Sequence, residues 1–134
     1  MNGFDSFQLE TIMSIQRYES PLGLPFSRMV RAGGFVFFSG QIPLDEKGEV
    51  VRGDITSQTR AAMDRIADSL KEVGLTFNDV VKVTVWLTDL ATFADFNEAY
   101  RAYFREGYPI RSTVEAKLAM DVDIEIEIQA LDRS

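Results

Sequence analysis

Any chemistry in this chain has to come from carboxylates, guanidinium groups, hydroxyls, backbone and water, because the sequence holds no histidine and no cysteine. Without histidine, the usual general base near neutral pH and the commonest metal ligand are both missing. A Ser-His-Asp triad is excluded. Without cysteine there is no thiolate nucleophile, disulfide or thiolate-bound metal. Zinc catalysis would need an all-carboxylate site, so no metal is expected. Among the remaining groups, Arg111 follows Pro109 at the start of a predicted strand, where its direction is well fixed. Its planar, permanently charged fork suits bidentate binding of a small carboxylate. On pattern alone, an ion pair with one of the 21 acidic residues is the commoner use of such an arginine. Glu125 and Glu127 fall on one face of another predicted strand. In a protein without histidine, a carboxylate is the group left to orient or deprotonate water. Two carboxylates so placed raise each other's pKa when close and poorly solvated. The plainer alternative is that both sit on a solvated strand face.

The elements that must position these groups are legible in outline. Pro21, Gly23 and Pro25 punctuate a loop. Residues 34–42 are aromatic and β-branched and predict a strand. A turn over Asp45-Glu46-Lys47-Gly48 leads into a short return strand at Glu49–Val51. Asp54 is a suitable N-cap for a helix over Thr56–Val73, whose apolar stripe is Ala62, Ile66, Leu70 and Val73, and Gly74 ends it. Residues 80–87 predict a strand with Val81, Val83, Val85 and Leu87 on one face. Thr92 with Asp95 forms a partial capping box for a helix over Phe93–Phe104, whose apolar face carries Phe93, Phe96, Tyr100, Tyr103 and Phe104. Strands follow over Pro109–Ala116 and Asp123–Leu131, the last with Ile124, Ile126, Ile128 and Ala130 on one side. This order implies an α+β domain, with two helices on one face of a mixed sheet. Trp86 and several phenylalanines then remain on the other face, and a cyclic oligomer would cover them.

With 134 residues, the chain has the size of one domain with a real core, and residues 13–134 read as that domain. Residues 1–12 read as an N-terminal extension, because Met13 resembles a second start. The net charge of −7 and scattered basic residues disfavour nucleic acid and anionic membranes as partners. No apolar run approaches a membrane span and no secretory signal is visible, so the cytoplasm is the expected compartment.

Several segments stand in a distinctive order and spacing: Pro25-Phe26-Ser27, Phe37-Phe38-Ser39-Gly40-Gln41-Ile42-Pro43, Gly53-Asp54-Ile55 with Gln58-Thr59, and Val80-Val81-Lys82-Val83-Thr84-Val85 with Thr88-Asp89. Phe93 with Asn97 and Tyr100, Pro109-Ile110-Arg111-Ser112, and Ile124-Glu125-Ile126-Glu127 complete the set. Together they resemble the Rid (YjgF-type) reactive-imine deaminase family. Ser-Gly-Gln-Ile-Pro with Pro-x-Arg-Ser and Ile-Glu-Ile-Glu is the specific combination, and the resemblance runs from about Ile15 to Leu131. It implies a chorismate-mutase-like fold, a homotrimer with clefts between subunits, and cofactor-free hydrolysis of enamines and imines such as 2-aminoacrylate to 2-keto acids and ammonia. It further implies Arg111 as the clamp for the substrate carboxylate, with Glu125 and the backbone carbonyl of Thr113 holding the water. Ser39 and Gly40 would line the cleft, where glycine permits close backbone approach; otherwise they mark a bulge or bend in the sheet. Phe93 and Asn97 would shape the pocket, although Phe93 also fits plain helix core.

The chain departs from the family pattern at three places. Phe26 stands where tyrosine is usual, which removes a pocket hydroxyl: either a hydrogen bond to substrate or water is lost, or Tyr108 replaces it. Arg28 stands where glutamine is common and would add positive charge at the cleft mouth. Thr113 replaces a frequent cysteine but keeps the backbone carbonyl. These changes imply a narrower or shifted substrate range, such as a dicarboxylic or larger imine. Two other readings stay open: a non-catalytic binding module for 2-keto acids or other carboxylates, and a nuclease or translation inhibitor, against which the acidic charge and missing histidine argue.

Overall fold

The computed structural model of the protein describes Ser6 and residues 14–133. Apart from Ser6, the expected extension over residues 1–12 lies outside the described residues. The architecture is α+β. Six strands, β1 (Gln16–Glu19), β2 (Ser27–Ala32), β3 (Phe35–Gln41), β4 (Val80–Leu87), β5 (Ile110–Glu115) and β6 (Ile124–Leu131), form one sheet in the order β1-β2-β3-β6-β4-β5. Two helices, α1 (Ile55–Glu72) and α2 (Phe93–Arg101), pack on one of its faces. The β4–β5 pair is parallel, with α2 in the crossover between them, and the other pairings are antiparallel.

Helix α1 follows its local signals. The Asp54 carboxylate accepts from the Ser57 N–H at 2.8 Å, satisfying one of the donors that the first turn leaves open. At the other end Gly74 takes a positive φ of 75°. The Leu75 N–H then reaches the Leu70 carbonyl at 2.9 Å, while the Gly74 N–H reaches Lys71 at 3.1 Å. This is the paired bonding of a glycine-terminated helix, with buried Leu75 and Leu70 as its apolar partners. Ile66 and Leu70 of α1, Phe96 and Tyr100 of α2, Val83, Val85 and Leu87 of β4, and Ile124, Ile126 and Ile128 of β6 belong to one buried core. Each large apolar side chain removed from water contributes about 1.5–3 kcal/mol.

Four local expectations are corrected. Val81 does not share the buried face of β4, because the register against β6 shifts between Val80 and Lys82 and leaves Val81 exposed. Val80 is buried instead. Thr92 does not cap α2: it closes a short 3₁₀ turn (Leu90–Thr92) capped by Asp89, and its hydroxyl bonds back to the Asp89 carbonyl at 2.7 Å. The α-helix itself stops at Arg101, earlier than Phe104. The return strand at Glu49–Val51 reduces to a single bridge between Leu44 and Val50. Strands β1 and β2 were not anticipated, since neither carries an alternating apolar pattern.

On the face away from the helices, Phe35 and Phe37 of β3 and Ile110 and Val114 of β5 are exposed beside half-buried Trp86. No described helix is long and apolar enough to cross a membrane.

Candidate functional site

Arg111 is set by the parallel pairing of β5 with β4. Its register partner is Val83, which is buried on the helix side, so the arginine side chain is directed toward α2. There Phe93, Phe96 and Tyr100, spaced i, i+3 and i+7 along the helix, offer one aromatic stripe. The guanidinium carbon lies 4.9 Å from the Tyr100 ring centroid, 5.1 Å from Phe96 and 5.5 Å from Phe93. Ring faces attract a cation at these distances. Among the described residues no carboxylate lies within ion-pair distance of Arg111, so the plain ion-pair reading finds no partner there. Arg111 lines a cavity of about 290 Å³ together with Asn97, Tyr100, Arg101, Tyr108 and Pro109. Among the described residues no acidic side chain lines it.

Tyr100 is a site residue that the sequence reading assigned to core packing alone. It is 4% exposed, and its hydroxyl is buried beside Arg111 and donates to no acceptor among the described residues. Burial pushes the phenol up to about 12, partly offset by the Arg111 charge beside it. At neutral pH it is therefore a proton-bearing donor and not a base. The signal in the sequence was present but ambiguous, because an aromatic at helical spacing reads as core. Thr113, two residues beyond Arg111 on the same face of β5, has a buried hydroxyl that is likewise unpartnered. Phe93 is partly exposed above Arg111, and Asn97 is half-buried on the cavity wall. Tyr108 also lines this cavity, so its hydroxyl belongs to the Arg111 side of the protein.

Glu125 belongs to a second cluster. It pairs with Trp86 across β6 and β4, on the sheet face opposite the helices. Burial raises its pKa, and the Glu127 charge raises it further. The β3–β6 register shifts between Phe38 and Gln41, which places Ser39 and Gly40 in an irregular segment beside Glu125. A Cβ on Gly40 would overlap the Glu125 carboxylate. A side chain at position 40 would therefore have to displace the Glu125 carboxylate, which lies against the Gly40 backbone. The Ser39 hydroxyl donates to the Ser27 carbonyl at 2.6 Å, tying β3 to the start of β2, where Phe26 is 54% exposed. Phe26 lines a separate cavity with residues of the 19–27 loop.

Arg28 is not brought to either cluster. Its guanidinium makes two hydrogen bonds to the Glu72 carboxylate, at 2.7 and 2.5 Å, and lies over the Tyr18 ring. The Glu72 contact raises the Arg28 pKa and lowers that of Glu72. The expected positive charge at a cleft mouth is instead committed to the C-terminal end of α1. One chain therefore assembles Arg111, Thr113, Phe93 and Asn97 on the helix side, and Glu125, Gly40, Ser39 and Phe26 elsewhere. Among the described residues no cluster of acidic side chains could hold a metal ion.

Comparison with known proteins shows the family. A family model described as endoribonuclease L-PSP matches residues 20–132. A RutC family protein of Pyrococcus horikoshii is 45% identical over 121 residues, covering 89% of this chain and 95% of that one. A 2-iminobutanoate/2-iminopropanoate deaminase of Salmonella typhimurium is 41% identical over 113 residues, covering 81% and 88%. Among solved structures, a conserved Rid family protein from Yersinia pestis superposes with a TM-score of 0.81 at 32% identity, covering 88% of this chain and 99% of that one. With the matched segment spanning nearly all of the sheet and both helices, the chain belongs to the endoribonuclease L-PSP family, the group that includes the RutC and Rid proteins.

Proposed function

We propose that the protein hydrolyses reactive 2-imino and enamine acids, such as 2-aminoacrylate, to 2-keto acids and ammonia. The observation that carries this reading is Arg111, held by three aromatic rings on the wall of a small cavity with no carboxylate partner among the described residues. A free fork so held is preorganised for a substrate carboxylate. The deaminase name of the Salmonella relative supports the same reaction class.

In this reading the protein acts as a homotrimer, and each cleft joins one copy's Arg111 side to a neighbour's Glu125 side. The carboxylate binds Arg111, which fixes the adjacent imine carbon. A water held by Glu125 and the Thr113 carbonyl adds to that carbon, and its proton passes to the Glu125 carboxylate. The protonated Glu125 gives this proton to the former imine nitrogen, forming a carbinolamine; its carboxylate then takes the carbinolamine hydroxyl proton and delivers it to the amino group as the C–N bond breaks, so that ammonia leaves and the 2-keto acid remains. An enamine enters this sequence as its imine tautomer. The sequence is redox-neutral and balances without a cofactor. Positioning plus a base worth about 10²–10⁴-fold suffices, because such imines hydrolyse unaided in water. The cytoplasm is the proposed compartment, with neither nucleic acid nor membrane as a partner.

The test is a competition assay in which an amino-acid oxidase generates a panel of 2-imino acids and semicarbazide traps what survives. Wild type should lower the trapped fraction, and Arg111→Ala should not. Absence of activity across small, acidic and bulky imines would overturn the reading. A carboxylate-binding module would then stand, since the Arg111 cavity can hold an anion without Glu125.

A further inference from the structure

The Arg111 cavity contains a second cation. Asn97 and Arg101 lie four residues apart on α2 and so share a face, and both line the cavity with Arg111. Arg111 forms the half-buried wall against the aromatic stripe, while Arg101 is exposed at the rim. Among the described residues Arg101 is paired with Glu98 alone, at 3.4 Å in an exposed i,i+3 pair, a contact of little strength. Two arginines therefore line one recess that no acidic side chain lines among the described residues, in a chain of net charge −7. A ligand with two anionic groups can engage both cations of one recess. Tyr100, beside Arg111 on the cavity wall, has a buried hydroxyl that donates to no acceptor among the described residues, and a buried donor calls for one.

From these contacts we infer that the preferred substrate is a 2-imino acid bearing a second carboxylate, with its 2-carboxylate on Arg111 and its distal carboxylate on Arg101. This rests on the deaminase reading and assigns its specificity. Arg101 would be the specificity-determining residue.

The experiment compares 2-iminobutanedioate, generated by an aspartate oxidase, with 2-iminopropanoate, generated from alanine. For wild type, kcat/KM should be higher for the diacid. Arg101→Gln should lower the diacid-to-monoacid ratio about three- to fivefold, mainly through KM, as expected for a partly exposed ion pair. Arg101→Lys should recover part of it. Arg105→Gln removes an exposed charge that does not line the cavity and should leave the ratio unchanged. Equal loss on both imines in Arg101→Gln, or an equal fall in the ratio with Arg105→Gln, would overturn the assignment. If wild type hydrolyses neither imine, the deaminase reading fails, and calorimetry decides this inference separately. Tighter binding of 2-oxoglutarate than of 2-oxobutanoate, lost in Arg101→Gln, would support it; equal binding would overturn it.

Discussion

Arg111 and Glu125 project from opposite faces of the same sheet. Arg111 pairs with Val83, whose side chain is buried beneath the helices, and Glu125 pairs with Trp86, on the face that no described helix covers. A site that uses both must take them from two copies of the chain. Mixing inactive Arg111→Ala with inactive Glu125→Gln protein, after dissociation and reassembly, should therefore restore activity in those clefts that receive both wild-type residues. Continued inactivity of the mixed oligomer would show that the clefts are not shared.

Arg111 itself should be irreplaceable by lysine. Charge-assisted hydrogen bonds contribute about 1.5–3 kcal/mol each, so losing a bidentate pair in Arg111→Ala should cost about 10²–10⁴-fold in kcat/KM. Arg111→Lys keeps the charge but not the fork and should remain at least about tenfold impaired. Steady-state kinetics on both variants checks this.

Gly40→Ala should separate activity from stability. The added methyl meets the Glu125 carboxylate, the far end of a flexible side chain. That side chain can swing away, so the melting temperature should change little while kcat falls. A large loss of stability with normal kcat would show that Glu125 is not the group displaced.

The acid limb of the kcat profile should lie above the ordinary carboxylate range, because burial and then Glu127 raise the Glu125 pKa. Glu127→Gln removes the like charge and should move that limb to lower pH. The linkage has a definite sign. A carboxyl whose pKa is higher folded than unfolded contributes stability below its unfolded pKa, and that contribution is lost as pH rises through the folded value. Glu125→Gln should thus raise the melting temperature at neutral pH and lose this advantage in acid.

Gln58, 3% exposed, holds the start of β6. Its amide donates to the Asp123 carboxylate at 2.9 Å and its carbonyl accepts from the Asp123 N–H at 2.9 Å. The same carboxylate accepts from the Thr88 hydroxyl at 2.9 Å. Gln58→Ala leaves these groups short of partners and should destabilise the fold by about 1–3 kcal/mol in urea unfolding.

Much of this protein was decided locally and could be read from sequence. Helix α1 lies between Asp54 and Gly74 because a capping carboxylate and a glycine at positive φ act over one turn. The alternation Ile124, Ile126, Ile128, Ala130 fixed the buried side of β6 for the same local reason. The absence of histidine and cysteine had already reduced the chemistry to carboxylates and arginine. What the sequence left open depends on distant partners. Arg28 is neutralised by Glu72, 44 residues away, which no spacing rule reports. Val81 lost its place in the core to a bulge that exists only where β4 meets β6. Tyr100 looked like core until Arg111 was packed against it. The separation of Arg111 from Glu125 arises from register, since each strand sets its own alternation but only pairing decides which side meets the helices.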